Sequence, residues 1–150
     1  MSMNLKQFPD EFSEFLKLLE KHRLDYLLVG GWALGVYTVH SGSGELNLLV
    51  RISPDSVRSL QAALVEFGVE PLDPKTFSVP GNVYRVGRSA NQLAIINQIP
   101  GIEFGTAWKR RNTLHMNNAQ VHVISRDDLI DNLLATGSTK ELADLEAMGA

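Results

Sequence analysis

Two adjacent glycines, a glutamate and an asparagine are the residues whose types and spacing could do chemistry in this chain. The apolar run Leu27-Leu28-Val29 ends at Gly30-Gly31 and is followed by a short helical stretch. Residues without Cβ let the backbone turn sharply there and come close to a ligand. The unpaired N–H groups and positive dipole end of the helix can hold a phosphate at such a turn, although a glycine pair also serves simply to relieve crowding. Glu45 and Asn47 lie two apart at the head of the run Leu46 to Ile52, so on a strand their side chains share one face, which looks back toward Gly30-Gly31. The four histidines lack acid partners at metal-ligand spacing and read as surface or strand residues, with His40 on the loop that faces the glycine turn. Lys109-Arg110-Arg111 reads as a cationic helix end favoured by the dipole rather than as a nucleic-acid surface.

The elements that must position these residues are legible in the periodicity. Phe12, Phe15, Leu16 and Leu19 recur at helical spacing behind Pro9-Asp10, which predicts an amphipathic helix over Pro9 to His22. Strands are expected at Tyr26 to Val29, Glu45 to Ile52, Val83 to Val86 and Gln92 to Ile96. Trp32 could stack on a base, but on a helix packed against a sheet it reads as core, and Tyr26 as a packing residue. Ser53-Pro54-Asp55 starts a helix with Val57, Leu60, Ala63, Leu64 and Phe67 on its buried side, and Gly68 ends it. Leu72 to Asn82 reads as loop. A helix is expected from near Glu103 to the basic run, then a hairpin of Leu114 to Met116 and Val121 to Ile124 joined at Asn117-Asn118, with His115 facing His122. Ser125 caps a further helix through about Thr136, and Thr139 starts the last, with Leu142 and Leu145 on its inner face.

With 150 residues, 44% hydrophobic and 21% charged, the chain fits a single domain, 1–150, with a real core. A net charge of −3 gives no general attraction to nucleic acid or to an anionic membrane. The absence of cysteine excludes disulfides and thiolate metal sites, and no apolar run is long enough to span a bilayer. Met1 to Gln7 lacks an apolar signal core, so a cytoplasmic protein is expected.

From about Tyr26 to Met148 the sequence resembles the nucleotidyltransferase superfamily of the DNA polymerase β type, in particular its small bacterial members. The family pattern GG-x-A, a short helix, then R-x-T-x-D-x-D and hydrophobics, is matched in frame by Gly30-Gly31-Trp32-Ala33 and by Ser41-Gly42-Ser43-Gly44-Glu45-Leu46-Asn47-Leu48-Leu49-Val50. Ala63-Leu64-Val65-Glu66-Phe67-Gly68 matches the family's A-L-x-x-F-G. The third aspartate of the family falls on Ala94 in Leu93-Ala94-Ile95-Ile96, ahead of Gly101, Phe104, Ala107 and Trp108. At the end of the chain Leu133 and Ser138 stand where the family has cations, while Lys140 and Asp144 match.

The resemblance implies an α/β (α+β) fold, a mixed twisted sheet flanked by helices. In members with intact motifs it implies two Mg²⁺ ions on three aspartates and transfer of a nucleotidyl group from a nucleoside triphosphate to a hydroxyl or phosphate. Here Ser41, Ser43, Glu45, Asn47 and Ala94 replace the arginine, threonine and three aspartates. Each carboxylate lost beside a divalent cation removes about 8 kcal/mol of gross Coulomb attraction at an effective dielectric of about 20 and a separation of about 4 Å. The expectation is a catalytically degenerate protein of this fold that binds a nucleotide, ATP or another triphosphate, or a protein partner. Gly30, Gly31, Ser43 and Lys140 would hold the phosphates, and Glu45 and Asn47 would hold Mg²⁺ weakly if at all. The alternatives are a weakly active Mg²⁺-dependent transferase acting on a small molecule or protein hydroxyl, and a purely structural interaction module with a filled pocket.

Overall fold

A computed structural model describes residues 8–38 and 44–149. Its centre is a six-stranded mixed sheet in the order β3-β4-β2-β1-β6-β5. The strands are β1 (Tyr26–Val29), β2 (Leu46–Val50), β3 (Val83–Val86), β4 (Leu93–Ile96), β5 (Asn112–Met116) and β6 (Ala119–Val123). β1 is buried at every position, which is why it reads as an uninterrupted apolar run rather than an alternation. It pairs antiparallel with β2, while β4 runs parallel to β2 and antiparallel to the edge strand β3.

Helix α1 (Asp10–Lys21) buries Phe12, Phe15, Leu16 and Leu19, with acids in its first turn and Lys21 in its last. It lies beside α3 (Pro54–Phe67), where the Phe15 and Phe67 rings meet edge to face at 5.0 Å. α3 has the expected ends. Ser53 Oγ accepts from the Ser56 N–H at 3.1 Å, Pro54 opens the first turn, and Gly68 closes the helix at φ 89°. Arg88 ties these helices to the turn after β3 by pairing with Glu11 and Glu14 of α1 and lying 4.0 Å over the Phe67 ring.

The hairpin turn forms at Asn117-Asn118, whose φ angles of 51° and 65° are both positive, as a tight two-residue hairpin requires. The hairpin joins the rest of the sheet along a short parallel seam in which Leu28 opposite Val123 is the paired position and the Ile124 N–H donates to the Leu28 carbonyl. Two tyrosine hydroxyls latch that seam. Tyr26 donates to the Gln120 carbonyl at 2.9 Å and accepts from the His122 N–H; Tyr37 donates to the Ile124 carbonyl at 2.6 Å and accepts from the Asn112 amide. The half-buried His122 ring lies against Tyr26 and Trp108, with Nδ1 3.0 Å from Thr113 Oγ1.

Four expectations are corrected. Leu72 to Asn82 contains a one-turn helix, α4 (Pro74–Phe77), because Asp73-Pro74 repeats the cap-and-proline start of α3: Asp73 Oδ1 accepts from the Lys75 N–H. The same segment is held by Asn97, which is 8% exposed and accepts from the Gly81 and Asn82 N–H groups while donating to the Phe77 and Val79 carbonyls. His115 pairs with Gln120, and His122 with Thr113, so the two histidines are not opposite one another. Leu142 is 55% exposed; Leu145, with Met148 just past the last turn, is buried on the inner side of α7 (Thr139–Ala147), which packs on α6 (Arg126–Thr136). Finally, the basic run at the end of α5 (Phe104–Lys109) is not simply solvated. Arg110 forms a two-point pair with the buried Asp128 at 2.7 and 3.1 Å, and Arg111 lies 3.7 Å over the Trp108 ring. Among the described residues no helix is long and apolar enough to cross a membrane.

Candidate functional site

The site is built outward from the end of β1. There the chain turns through Gly30 at φ +70°, a conformation that side chains disfavour, and enters α2 (Gly30–Tyr37). Val29 precedes the helix and supplies no side-chain cap. Gly30 is exposed, so the turn faces solvent. Trp32 points the other way, 4% exposed and edge-on to Phe8 and Phe12, as a core residue. Its Nε1 donates to the Gly44 carbonyl at 3.0 Å and so anchors the approach to β2.

Sheet register then assembles one row of side chains across four strands. Val29 opposes Asn47, Asn47 opposes Ala94, and Ala94 opposes Arg85. Cross-strand partners share a face, so Asn47, Ala94 and Arg85 stand side by side. Glu45, which lies just ahead of β2 rather than within it, is brought to this row by its ion pair with Arg85. The expected convergence of Glu45, Asn47 and Ala94 at one end of the sheet is therefore present.

The chemistry at that point differs from a metal cluster. Arg85 Nε donates to both carboxylate oxygens of Glu45, at 3.1 and 3.2 Å. These residues are carried by chain on either side of β4, about 10 Å apart at the backbone, and their side chains span that gap. Ala94, opposite Arg85 in register, is fully buried and brings no polar atom to the site. The Asn47 Nδ2 donates to the Glu45 backbone carbonyl at 3.0 Å and lies against the glycine turn; a Cβ on Gly30 would stand 2.7 Å from it. Gly30 thus has two reasons to be glycine, its φ and the amide packed on it.

These donors do not fit the Mg²⁺ ions that the fold implies. Glu45 is already engaged by a cation, Asn47 offers one neutral carbonyl oxygen, and Ala94 offers none. Among the described residues no three His, Cys, Asp or Glu side chains come together to hold a metal ion.

Of the other sequence candidates, Gly31 follows Gly30 in the first turn of α2, while Ser43, Ser41 and His40 lie outside the described residues. Lys140 is on α7 with its Nζ 3.3 Å from Asp144 Oδ2, a pair along one helix, and it makes no hydrogen bond to Gly30, Asn47, Glu45 or Arg85. Leu133 is buried, which explains an apolar residue there. Arg85 is the participant that sequence reading missed. The available signal was a lone arginine inside the apolar strand Val83-Tyr84-Arg85-Val86.

No family model matches the chain, and no curated protein matches it. Solved structures do. The chain superposes on the lincomycin-bound crystal structure of the lincosamide antibiotic adenylyltransferase LnuA with a TM-score of 0.61 at 14% identity, covering 98% of each chain. It superposes on an antigenic nucleotidyltransferase-like protein from Paracoccidioides brasiliensis with a TM-score of 0.57 at 16% identity, covering 91% of this chain and 71% of that one. With the six-stranded mixed sheet flanked by helices, these likenesses show that the chain has the nucleotidyltransferase fold.

Proposed function

We propose that this chain is a catalytically silent version of the nucleotidyltransferase fold, which binds a nucleotide or a related phosphate-bearing small molecule at the Gly30 turn and transfers nothing. The observation that carries the reading is the Glu45–Arg85 ion pair, with Ala94 at the position opposite Arg85. Nucleotidyl transfer in this fold relies on metal ions that align the α-phosphate and leaving pyrophosphate and offset their developing charge. The one carboxylate left at the site is held by an arginine, and among the described residues no other side chain there supplies a general base.

The exposed Gly30 turn and its uncapped helix start favour a small ligand over a sealed interaction module. That LnuA was crystallised with lincomycin bound is in keeping with a small-molecule site on this scaffold, though at 14% identity it argues for the scaffold only.

The test is radiolabel transfer from each common nucleoside triphosphate in Mg²⁺ or Mn²⁺, run beside calorimetric titration of the same triphosphates. Binding without transfer above background is the expected outcome. Robust metal-dependent transfer by the unaltered chain overturns the reading in favour of a weakly active enzyme. Absence of binding to any triphosphate overturns its ligand half and favours a protein partner.

A further inference from the structure

Every acidic oxygen at the site is accounted for, while donors are left over. Glu45 receives Arg85 Nε on both oxygens, and the two terminal NH₂ groups of the Arg85 guanidinium have no hydrogen-bond partner among the described residues. The pair is open to solvent, the Arg85 side chain being 62% and the Glu45 side chain 34% exposed. Asn47 Nδ2 spends one hydrogen on the Glu45 carbonyl and carries a second beside the Gly30 turn. A site built to bind a cation would present the reverse, oxygens without partners.

We infer that Arg85 takes over the electrostatic work of the divalent ion, so that the phosphate groups of the ligand are bound here without metal. Arg85 neutralises Glu45, which removes the repulsion a bare carboxylate would exert on a phosphate. Its free NH₂ groups form a planar fork whose spacing suits two phosphate oxygens. This inference rests on the proposed binding role of the same site and names the ligand class, a phosphate chain taken up metal-free.

The experiment is calorimetry with ATP and with inorganic tripolyphosphate, each in EDTA and in excess Mg²⁺. Both ligands are expected to bind in EDTA, and Mg²⁺ is expected to weaken them by masking phosphate charge. Arg85→Met should lower affinity about tenfold, with Arg85→Lys between it and the parent. Glu45→Gln should tighten binding several-fold, because it frees the guanidinium and removes the negative charge. Arg85 is exposed on an edge strand, and far-UV circular dichroism checks that each variant is folded. Comparing the two ligands separates a phosphate-chain site from one that also uses the nucleoside, and either pattern supports the inference. Binding that requires Mg²⁺, binding unchanged in Arg85→Met, or no binding of either ligand overturns it. A silent transfer assay alongside any of these leaves the non-catalytic reading standing, so the two failures are distinguishable.

Discussion

Rebuilding a metal centre on this chain requires removing a residue as well as adding acids. Changing Glu45, Asn47 and Ala94 to aspartate together restores the carboxylates, but the aspartate introduced at position 94 would lie directly opposite Arg85 in register and pair with it. A fixed opposite charge within hydrogen-bonding distance holds a carboxylate against metal as it holds it against protons. The triple variant is expected to bind Mn²⁺ at least about tenfold more weakly than the quadruple variant that adds Arg85→Met, read by calorimetry or by loss of the free Mn²⁺ paramagnetic resonance signal. Equal affinities would show that Arg85 does not compete. At this scale Gly30, Gly31, Glu45 and Asn47 were legible, because a glycine pair after an apolar run and a spacing of two are local patterns. Arg85 was not. Its place depends on how β3 registers on β4 across the turn 87–92, and nothing within Val83-Tyr84-Arg85-Val86 says which residue opposes Ala94.

Element boundaries followed the local chemistry of their ends, and the misses came from elsewhere. Ser53-Pro54 and Asp73-Pro74 are the same start signal, yet the second was lost in a stretch rich in proline and polar residues, where only four residues become helical. What makes that segment regular is distant: Asn97 satisfies two N–H groups and two carbonyls of residues 77–82 from the end of β4. Asn97→Ala leaves the Phe77 carbonyl and the Gly81 and Asn82 N–H groups without that partner, the Val79 carbonyl keeping the Asn82 Nδ2 donor, and should destabilise by about 1–3 kcal/mol, measured as the urea midpoint at constant m-value. The Gly81 and Asn82 amides should lose protection from hydrogen exchange. Asn97→Asp keeps the acceptor but turns an oxygen toward two carbonyls, so it should recover little. A variant as stable as the parent would mean that the packing of Phe77 and Leu72 holds the segment unaided. Leu142 was misplaced for a related reason, because helical spacing marks a stripe on α7 without fixing which edge of it meets α6.

At the scale of the whole molecule, acid stability should report on the hairpin side of the sheet. Burial, helped by the positive charge of Arg111, holds the His122 imidazole below its ordinary value of 6.5. The unfolded chain therefore takes up a proton that the folded chain refuses, so this contribution is complete above that value and is lost as pH falls below it. Glu11, Glu66, Asp73 and Glu103 are each held below their ordinary carboxylate values, chiefly by hydrogen bonds, and weaken the fold only at more acid pH. Between about pH 7 and about pH 5 the parent's thermal midpoint should fall more than that of His122→Phe, and parallel slopes would remove His122 from the account. The seam beside His122 carries a further consequence. β1 meets β6 at one paired position, reinforced by hydroxyls rather than by a long ladder. Should it open, the hairpin would leave with β5 and β6 still joined, and β1 would present a bare, wholly apolar edge that only another such hairpin could complete. Two molecules could then trade hairpins, and the chain would form exchanged dimers when warmed at high concentration and cooled. Tyr37→Phe, which loosens the latch, should raise the dimer fraction in size-exclusion chromatography, and an unchanged fraction would mean that the seam holds without it.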